Sequence, residues 1–233
     1  MYGVCGITGF WDARGARAEE VDTQLSAMAT CIAHRGPDDA GTWWDGRGGP
    51  ALGFRRLAIL DLSPAGHQPM ASRSGRYTIV FNGAIYNYRD LRTSLAAHGW
   101  QFRGGSDTEV ILAAVEHWGV DGLWARLWGM FAIALWDAAE RRLHLVRDRL
   151  GKKPLYYGRS NGVLLFGSEL KALRAHPAFD GAIDRDALAA YLRFAYVPGH
   201  QSIYQGITKV PPGASVQFSA ADAPPVVETY WSA

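Results

Sequence analysis

Few cysteines, little net charge and no long apolar run are the first features of this 233-residue sequence. Its two cysteines, Cys5 and Cys31, and the absence of any CxxC pair exclude a disulfide-stapled scaffold and a cysteine-rich metal site. No apolar segment approaches the roughly 20 residues of a membrane helix, and the N-terminus lacks the pattern of a signal peptide. Basic residues number 24 and acidic residues 22, which gives no reason to expect nucleic acid or a membrane as partner. We therefore expect a cytoplasmic globular protein.

Hydrophobic spacing and capping residues predict three of the helices. Residues 19–33 carry apolar side chains at helical spacing, namely Val21, Leu25, Met28 and Ile32, which predicts one buried face. We place Cys31 on that face as a small buried hydrophobe. The pattern SDTE at 106–109 is a capping box that opens a second helix. A third is expected over 87–99, capped by its first residue and ended by glycine.

The remaining apolar runs predict strands. The segment 130–136 is nearly unbroken in apolar residues, as in a strand that is covered on both faces. The turn-rich stretch 34–41 is expected to be a loop. Further strands are expected at 4–11, 51–60, 76–82, 141–147, 154–158 and 163–167, and short helices at 168–175 and 184–194. Strands in both halves with helices grouped between them indicate an α+β domain.

Short motifs in a fixed order indicate a family. They are CGITGFWD (5–12), HRGPDD (34–39), RRLAILDL (55–62), GHQPM (66–70), FNGAIYNYRDLR (81–92), GSDTEVILAA (105–114), RDRLGKKPLYYG (147–158), FGSELKAL (166–173) and YVPG…VPPG (196–213). A single motif of this length is weak, but their collinear order over residues 4–231 is specific. The sequence resembles the class II glutamine amidotransferases and, within them, the asparagine synthetase family.

The resemblance implies the fold of an N-terminal-nucleophile hydrolase, a four-layer α/β/β/α sandwich with two stacked antiparallel sheets. It also implies that Cys5 is the nucleophile, which attacks the side-chain amide carbon of glutamine and releases ammonia. In this family the α-amine of the nucleophile takes the thiol proton. The chemistry is reasonable because an α-amine has a pKa of roughly 7.7–8.0, whereas a peptide nitrogen is delocalised into its carbonyl.

Four further residues match the family's site. The resemblance assigns the oxyanion hole to the side chain of Asn82 and the backbone N–H of Gly83, which also contact the substrate. It assigns the substrate carboxylate to Arg56, whose guanidinium suits bidentate binding, and the substrate ammonium to Asp107. Structural interpretations stay open beside these roles. Asn-Gly is a common turn pair, and an acidic residue at a helix N-terminus is favoured by the helix dipole.

Two other groups invite functional interpretation. His34 lies in the HRGPDD loop, and we expect it to hold the loop's shape rather than to act as a base. Lys152 and Lys153 lie in a basic segment without a phosphate-loop pattern, and clustered charges are usually solvated. We therefore interpret both lysines as loop charges, and no metal-ligand spacing is found among the histidines.

Three features depart from the family pattern. Cys5 follows four residues, so we expect either a removable leader at 1–4 or a true start at Val4. Ala84 stands where the family usually has a glutamate that helps hold the substrate ammonium, so weaker glutamine binding is expected. No SGGxDS motif is present, so we expect no ATP-dependent activation of aspartate by this chain.

The expected organisation is an amidotransferase domain at 5–218 and a tail or linker at 219–233 toward a synthetase domain absent from this chain. The expected partners are glutamine and a synthetase domain or subunit that accepts ammonia; a homodimer stays open. No cofactor or metal is expected here, because ATP and Mg²⁺ would belong to the synthetase domain. Two functions remain as alternatives. One is a glutaminase whose ammonia goes to an acceptor such as aspartate, and the other is a catalytically silent binding or regulatory module.

Overall fold

A computed structural model describes residues 5–15, 17–59 and 62–232. The expected leader at 1–4 lies outside the described residues, as do two residues of the RRLAILDL motif. The strands in the described ranges are β1 (Gly6–Asp12), β2 (Asp39–Trp44), β3 (Ala51–Arg56), β4 (Met70–Ala71), β5 (Tyr77–Ile85), β6 (Gly129–Asp137), β7 (Arg142–Arg147), β8 (Tyr156–Ser160), β9 (Val163–Gly167), β10 (Ile207–Lys209), β11 (Ala214–Phe218) and β12 (Val226–Thr229). The α-helices there are α1 (Ala18–Cys31), α2 (Tyr88–Ala97), α3 (Asp107–Leu123), α4 (Leu170–Arg174) and α5 (Arg185–Phe194).

These strands form two six-stranded sheets whose neighbouring strands are all antiparallel. The first sheet has the order β10-β8-β9-β1-β3-β2, and the second has the order β12-β11-β7-β6-β5-β4. The start of the chain therefore supplies a central strand of the first sheet. The NGAIYN segment reaches the second sheet through β5, which lies beside the apolar strand β6.

Three apolar cores arrange the elements in four layers. One core lies between the sheets and includes Ile7 and Trp11 of β1 with Val80 of β5. A second core joins the outer face of the second sheet to α2 and α3. A third joins the outer face of the first sheet to α1 and α4. The predicted α/β/β/α sandwich is confirmed, because every sheet face is covered either by the other sheet or by helices.

Helix α1 follows the predicted apolar stripe but not the predicted place of Cys31. The stripe residues Val21, Leu25, Met28 and Ile32 are buried, whereas Cys31 is exposed. The prediction for Cys31 is wrong because successive helical residues are rotated by about 100°. That rotation from Ile32 carries Cys31 off the edge of the stripe.

The second sheet differs from the sequence prediction at the Asn82-Gly83 pair. Strand β5 continues through both residues to Ile85, and they pair with Ala132 and Phe131 of β6. The pair is therefore not a turn. Asn87 precedes α2 but makes no side-chain cap. Its amide instead bridges the segment after α3, through bonds with the carbonyl of residue 126 and the amide of residue 128.

Several edge strands were not foreseen. Strand β2 begins inside the segment expected to be a loop at 34–41, and it pairs with β3. Strand β12 lies within 219–233 and pairs with β11, so part of the expected tail belongs to the second sheet.

In the described part of the chain, none of the helices has both the length and the apolar composition that crossing a bilayer requires.

Candidate active site

Cys5 and Asn82 come from opposite sheets and face one cavity. Cys5 directly precedes β1 and packs against the inner core, on the same face as Ile7 because side chains alternate along a strand. Asn82 shares the inner face of β5 with Val80. Both line a cavity of about 250 Å³ together with the other predicted site residues, Arg56, Gly83 and Asp107. The structure therefore brings all five residues together.

The backbone of β5 directs the amide of Gly83 toward this cavity. Two residues earlier, the N–H of Phe81 donates to Gln68 Oε1 at 2.6 Å. Two residues later, the N–H of Ile85 donates to Asp107 Oδ2 at 3.0 Å. Amide direction alternates along an antiparallel strand, so the N–H of Gly83 points away from β6 as well. No acceptor for it is found among the residues that the structure describes.

Strand β6 explains why position 83 is glycine. Gly83 pairs with Phe131, whose N–H donates to Asp148 Oδ2 and whose carbonyl accepts from the amide of the same aspartate. A Cβ at Gly83 would lie 2.7 Å from Cα of Phe131 and closer still to the carbonyl oxygen of Met130. Any side chain here would push the two strands apart and displace the amide that faces the cavity.

The side chain of Asn82 is buried without a partner. Its exposed fraction is 0%, and neither Oδ1 nor Nδ2 has a hydrogen bond within the described residues. Most buried polar groups in folded proteins are hydrogen-bonded. An amide donor held on a rigid strand, beside the free N–H of Gly83, can stabilise negative charge that develops on a bound carbonyl oxygen.

The thiol of Cys5 contacts the backbone of Leu57. The Leu57 amide lies 3.4 Å from Sγ, and Sγ lies 3.6 Å from the Leu57 carbonyl oxygen. Burial raises the pKa of the Cys5 thiol above its ordinary value, against the lowering effects of the Leu57 amide and of Arg56 and Lys153; Asp107 adds to the rise. The thiol is therefore protonated at neutral pH and needs a base to become a nucleophile.

Arg56 ends β3 and is buried at one side of the cavity. Its Nη1 donates to the carbonyl of Ser63 at 3.0 Å. A Cβ at Gly66 would lie 2.9 Å from Cζ of Arg56, so the absence of a side chain at Gly66 gives the guanidinium its room. On the other side of the strand end, Asp38 of the HRGPDD loop accepts from the amide of Ala58 at 2.9 Å.

Asp107 begins α3 and points back toward β5. Ser106 accepts from the amide of Glu109, which confirms the serine half of the predicted capping box, whereas the Glu109 carboxylate accepts from the amides of Arg103 and Gly104. Burial raises the pKa of Asp107 to about 6, against the lowering effects of the amides of Ile85, Asp107 and Thr108. The carboxylate is thus ionised at neutral pH, but its charge is weakly compensated by the protein.

The structure adds three side chains to the site that the sequence did not single out for it. Gln68 is buried and bonds both to Phe81 and to Thr108 Oγ1, the latter at 3.1 Å. Arg35 donates to the carbonyl of Cys5 at 3.0 Å. Lys153 lines the cavity and is buried, so its interpretation as a loop charge is wrong. Only their presence in family motifs signalled them.

His34 takes no part in the cavity. Its Nε2 lies 3.1 Å from Glu169 Oε1, which also accepts from Arg35 at 2.8 Å. The HRGPDD loop is thereby tied to the FGSELKAL motif, and His34 makes a polar contact in the loop, as the sequence predicted. A larger cavity of about 650 Å³ lies outside the second sheet, near Met70 and Trp100, and contains none of the five predicted residues. No group of three or more potential metal ligands occurs in the described residues.

Two solved structures share the fold at low sequence identity. The structure of "the allosteric regulatory enzyme of purine biosynthesis" aligns with a TM-score of 0.73 and 20% identity over 97% of this chain and 49% of that one. Glutamine phosphoribosylpyrophosphate amidotransferase from B. subtilis aligns with a TM-score of 0.68 and 18% identity, at the same coverage. At this level of identity the likeness shows that the chain shares the fold of these two proteins.

Sequence comparison gives the family. The model of the "Glutamine amidotransferase domain" family matches residues 4–231, and the chain belongs to that family. It is 39% identical to asparagine synthetase [glutamine-hydrolyzing] 3 of Bacillus subtilis over 93% of this chain, and to a putative asparagine synthetase of Mycobacterium bovis over 98%. The predicted family and branch are confirmed. The chain spans only 35% and 37% of those two relatives.

Proposed function

We propose that this domain hydrolyses glutamine to glutamate and ammonia with Cys5 as the nucleophile. The observation that carries the proposal is the cavity in which a thiol from one sheet meets an unpartnered amide side chain, Asn82, from the other. Family membership supplies the reaction class, and the two relatives named above are described as glutamine-hydrolysing.

In the proposed reaction the Cys5 sulfur bonds to the side-chain amide carbon, and the carbonyl electrons move onto oxygen. Asn82 Nδ2 and the N–H of Gly83 stabilise that oxyanion. When it collapses, the carbon–nitrogen bond breaks, and the proton taken from the thiol goes to the leaving nitrogen, which departs as ammonia. Water then attacks the thioester, which yields glutamate and restores the thiol.

The two charged ends of glutamine require opposite charges at the other side of the cavity. We assign the carboxylate to Arg56 and the ammonium to Asp107. The buried carboxylate supports this assignment, because a cation beside it would offset the burial that raises its pKa. Ala84 also lines the cavity and provides no charge for the ammonium.

The base that we propose is the α-amine of Cys5 itself, exposed when the residues before it are absent. The test compares a chain whose first residue is Cys5 with one that retains Met1–Val4, each confirmed by intact mass. The first should hydrolyse glutamine, and the second should be slower by roughly 10²–10⁴, the usual contribution of a general base. Cys5→Ala in the shorter chain should abolish turnover. Equal rates from the two starts would refute the amine as base, and activity of Cys5→Ala near wild type would refute the nucleophile.

We further propose that the ammonia passes to an acceptor-activating region of a longer protein or to a partner subunit. The basis is that the relatives are about three times longer than this chain and are named asparagine synthetases. Aspartate is then the acceptor, and ATP and Mg²⁺ act in that other region rather than at Cys5. We also propose that the protein is cytoplasmic, and a homodimer stays a prediction.

A catalytically silent binding module is the second candidate. Ala84, in place of the usual glutamate, is the observation that favours it. Glutamine that binds to the chain starting at Cys5 without release of glutamate would support this candidate over the glutaminase.

A further inference from the structure

Lys153 is a buried lysine in the wall of the Cys5 cavity. Its exposed fraction is 8%, whereas the neighbouring Lys152 is exposed. Lysine is almost never buried unless a partner compensates its charge. Yet among the described residues Lys153 makes no ion pair with a carboxylate.

The loop that carries Lys153 is fixed by Arg147, the last residue of β7, and by Asp148, which follows it. Asp148 accepts from the amides of Leu150, Lys152 and Lys153 at 2.9–3.1 Å. Arg147 Nε donates to the carbonyl of Lys153 at 2.9 Å. The lysine backbone is therefore held from both sides, and the carboxylate nearest to it in the chain is already occupied by backbone amides.

The same loop is anchored to the strand that positions the oxyanion donors. Asp148 Oδ2 also accepts from the amide of Phe131 at 3.2 Å, and Phe131 pairs with Gly83. Lys153 thus takes its place in the cavity relative to the β5–β6 pair. A cation held in this way can act on the thiol without a hydrogen bond to it.

We propose that the ammonium of Lys153 stabilises the thiolate of Cys5 and so increases the fraction of the nucleophile in its attacking form. It is a positioning residue, because it acts through Cys5 and needs no contact with the substrate. The inference rests on the proposed role of Cys5 as nucleophile. It gives a catalytic function to Lys153, the second lysine of the RDRLGKKPLYYG motif, through its effect on Cys5.

The charged groups around the pair are consistent with this role. Arg56 and Lys153 lower the pKa of Cys5, and Asp107 raises it. Burial and the nearby Arg35 lower the pKa of Lys153, whereas the thiol and Asp148 raise it. The guanidinium of Arg35 pairs with Glu169 at 2.8 Å, and Lys171 pairs with the same carboxylate at 3.1 Å. Arg56 and Lys153 are the two cations that lower the pKa of the Cys5 thiol.

The test measures alkylation of Cys5 by iodoacetamide against pH in the full chain, followed by mass spectrometry. It needs no turnover, so it can fail independently of the proposed function. With Val4 retained, the nitrogen of Cys5 is a peptide nitrogen, so the titration of an α-amine does not enter. A Cys31→Ser background removes the exposed second thiol.

In Lys153→Met the apparent pKa of Cys5 should rise by about one unit, the lower end of the effect of one nearby opposite charge. The alkylation rate near neutral pH should fall about three- to fivefold, because the loss of thiolate is partly offset by its higher nucleophilicity. Lys153→Arg should keep the wild-type profile, and Lys152→Met, which removes the same charge from an exposed position, should leave it unchanged.

An unchanged profile in a folded Lys153→Met chain would overturn the proposal, as would an equal shift in Lys152→Met. Circular dichroism checks the fold, and Lys153→Gln replaces the methionine variant if that unfolds. If neither neutral variant folds, Lys153→Arg decides. A wild-type profile supports the requirement for charge, and a profile shifted to higher pH contradicts it.

Discussion

Replacement of Asn82 by alanine should have different effects on catalysis and on stability. The loss of one oxyanion donor typically costs about 2.7–4 kcal/mol in the transition state, or roughly 10²–10³ in kcat. The KM for glutamine should change little, because the donor acts mainly on charge that develops during the reaction.

The stability of the unliganded protein should not fall with the activity. Both polar atoms of the Asn82 side chain are buried without a partner within the described residues, and each such group costs about 1–3 kcal/mol. Alanine removes both, and the space that it opens adjoins a cavity that already exists. We expect the free energy of unfolding to stay unchanged or to rise by up to about 2 kcal/mol.

The assay combines glutamate release under steady-state conditions with urea unfolding of the same preparations. Asn87→Ala is the matched control from the same NGAIYN motif. The Asn87 side chain is engaged at both ends, with Nδ2 to the Arg126 carbonyl at 2.9 Å and Oδ1 to the Trp128 amide at 3.0 Å. Its loss should therefore lower stability by about 1 kcal/mol and leave kcat near wild type.

The reasoning would be refuted by the reverse pattern. If Asn82→Ala lowers the free energy of unfolding as much as Asn87→Ala does, its side chain is structural. If KM rises while kcat is unchanged, Asn82 binds the ground state of the substrate rather than the oxyanion.

Three further predictions concern the substrate's charged ends. Gly66→Ala should push the Arg56 guanidinium aside and raise the KM for glutamine about 10–100-fold, which corresponds to the loss of a charged hydrogen bond. The control is Gly122→Ala, whose Cβ would meet only an ordinary 3.5 Å contact. An unchanged KM in Gly66→Ala would contradict the role of Arg56 in binding the substrate carboxylate. Because the pKa of Asp107 is about 6, KM should rise as pH falls through 6, where the carboxylate becomes neutral. The pKa of Asp107 lies above the ordinary 3.8, so its ionisation destabilises the fold as pH rises from 3.8 through 6. Asp107→Asn should therefore be more stable than wild type at pH 8, by at most roughly 3 kcal/mol. The KM of this variant for glutamine, measured in the same assays, should be high and independent of pH. Ala84→Glu on a Cys5→Ala background should tighten glutamine binding about tenfold by isothermal titration; unchanged or weaker binding would show that the site has been rebuilt around alanine.

The sequence by itself determined the family, the layer architecture and five of the residues that line the cavity. Local patterns sufficed for the helix that begins at Ala18, because its apolar stripe repeats at helical spacing. They sufficed also for β6, whose continuous apolar run matches burial on both faces. The motif order assigned Cys5 and Asn82 to one site, although no local pattern relates two residues so far apart in the chain.

Only the tertiary structure decided what each group faces. Strand pairing, rather than turn propensity, extended β5 through Gly83 and turned its amide toward the cavity. The anchored loop after β7 buried Lys153 and left Lys152 exposed. Two adjacent residues of the same type carry no sequence signal for this difference. Burial, and not the residue type, raised the pKa of both Cys5 and Asp107. Such effects depend on long-range packing and desolvation, which the order of residues specifies only through the completed fold.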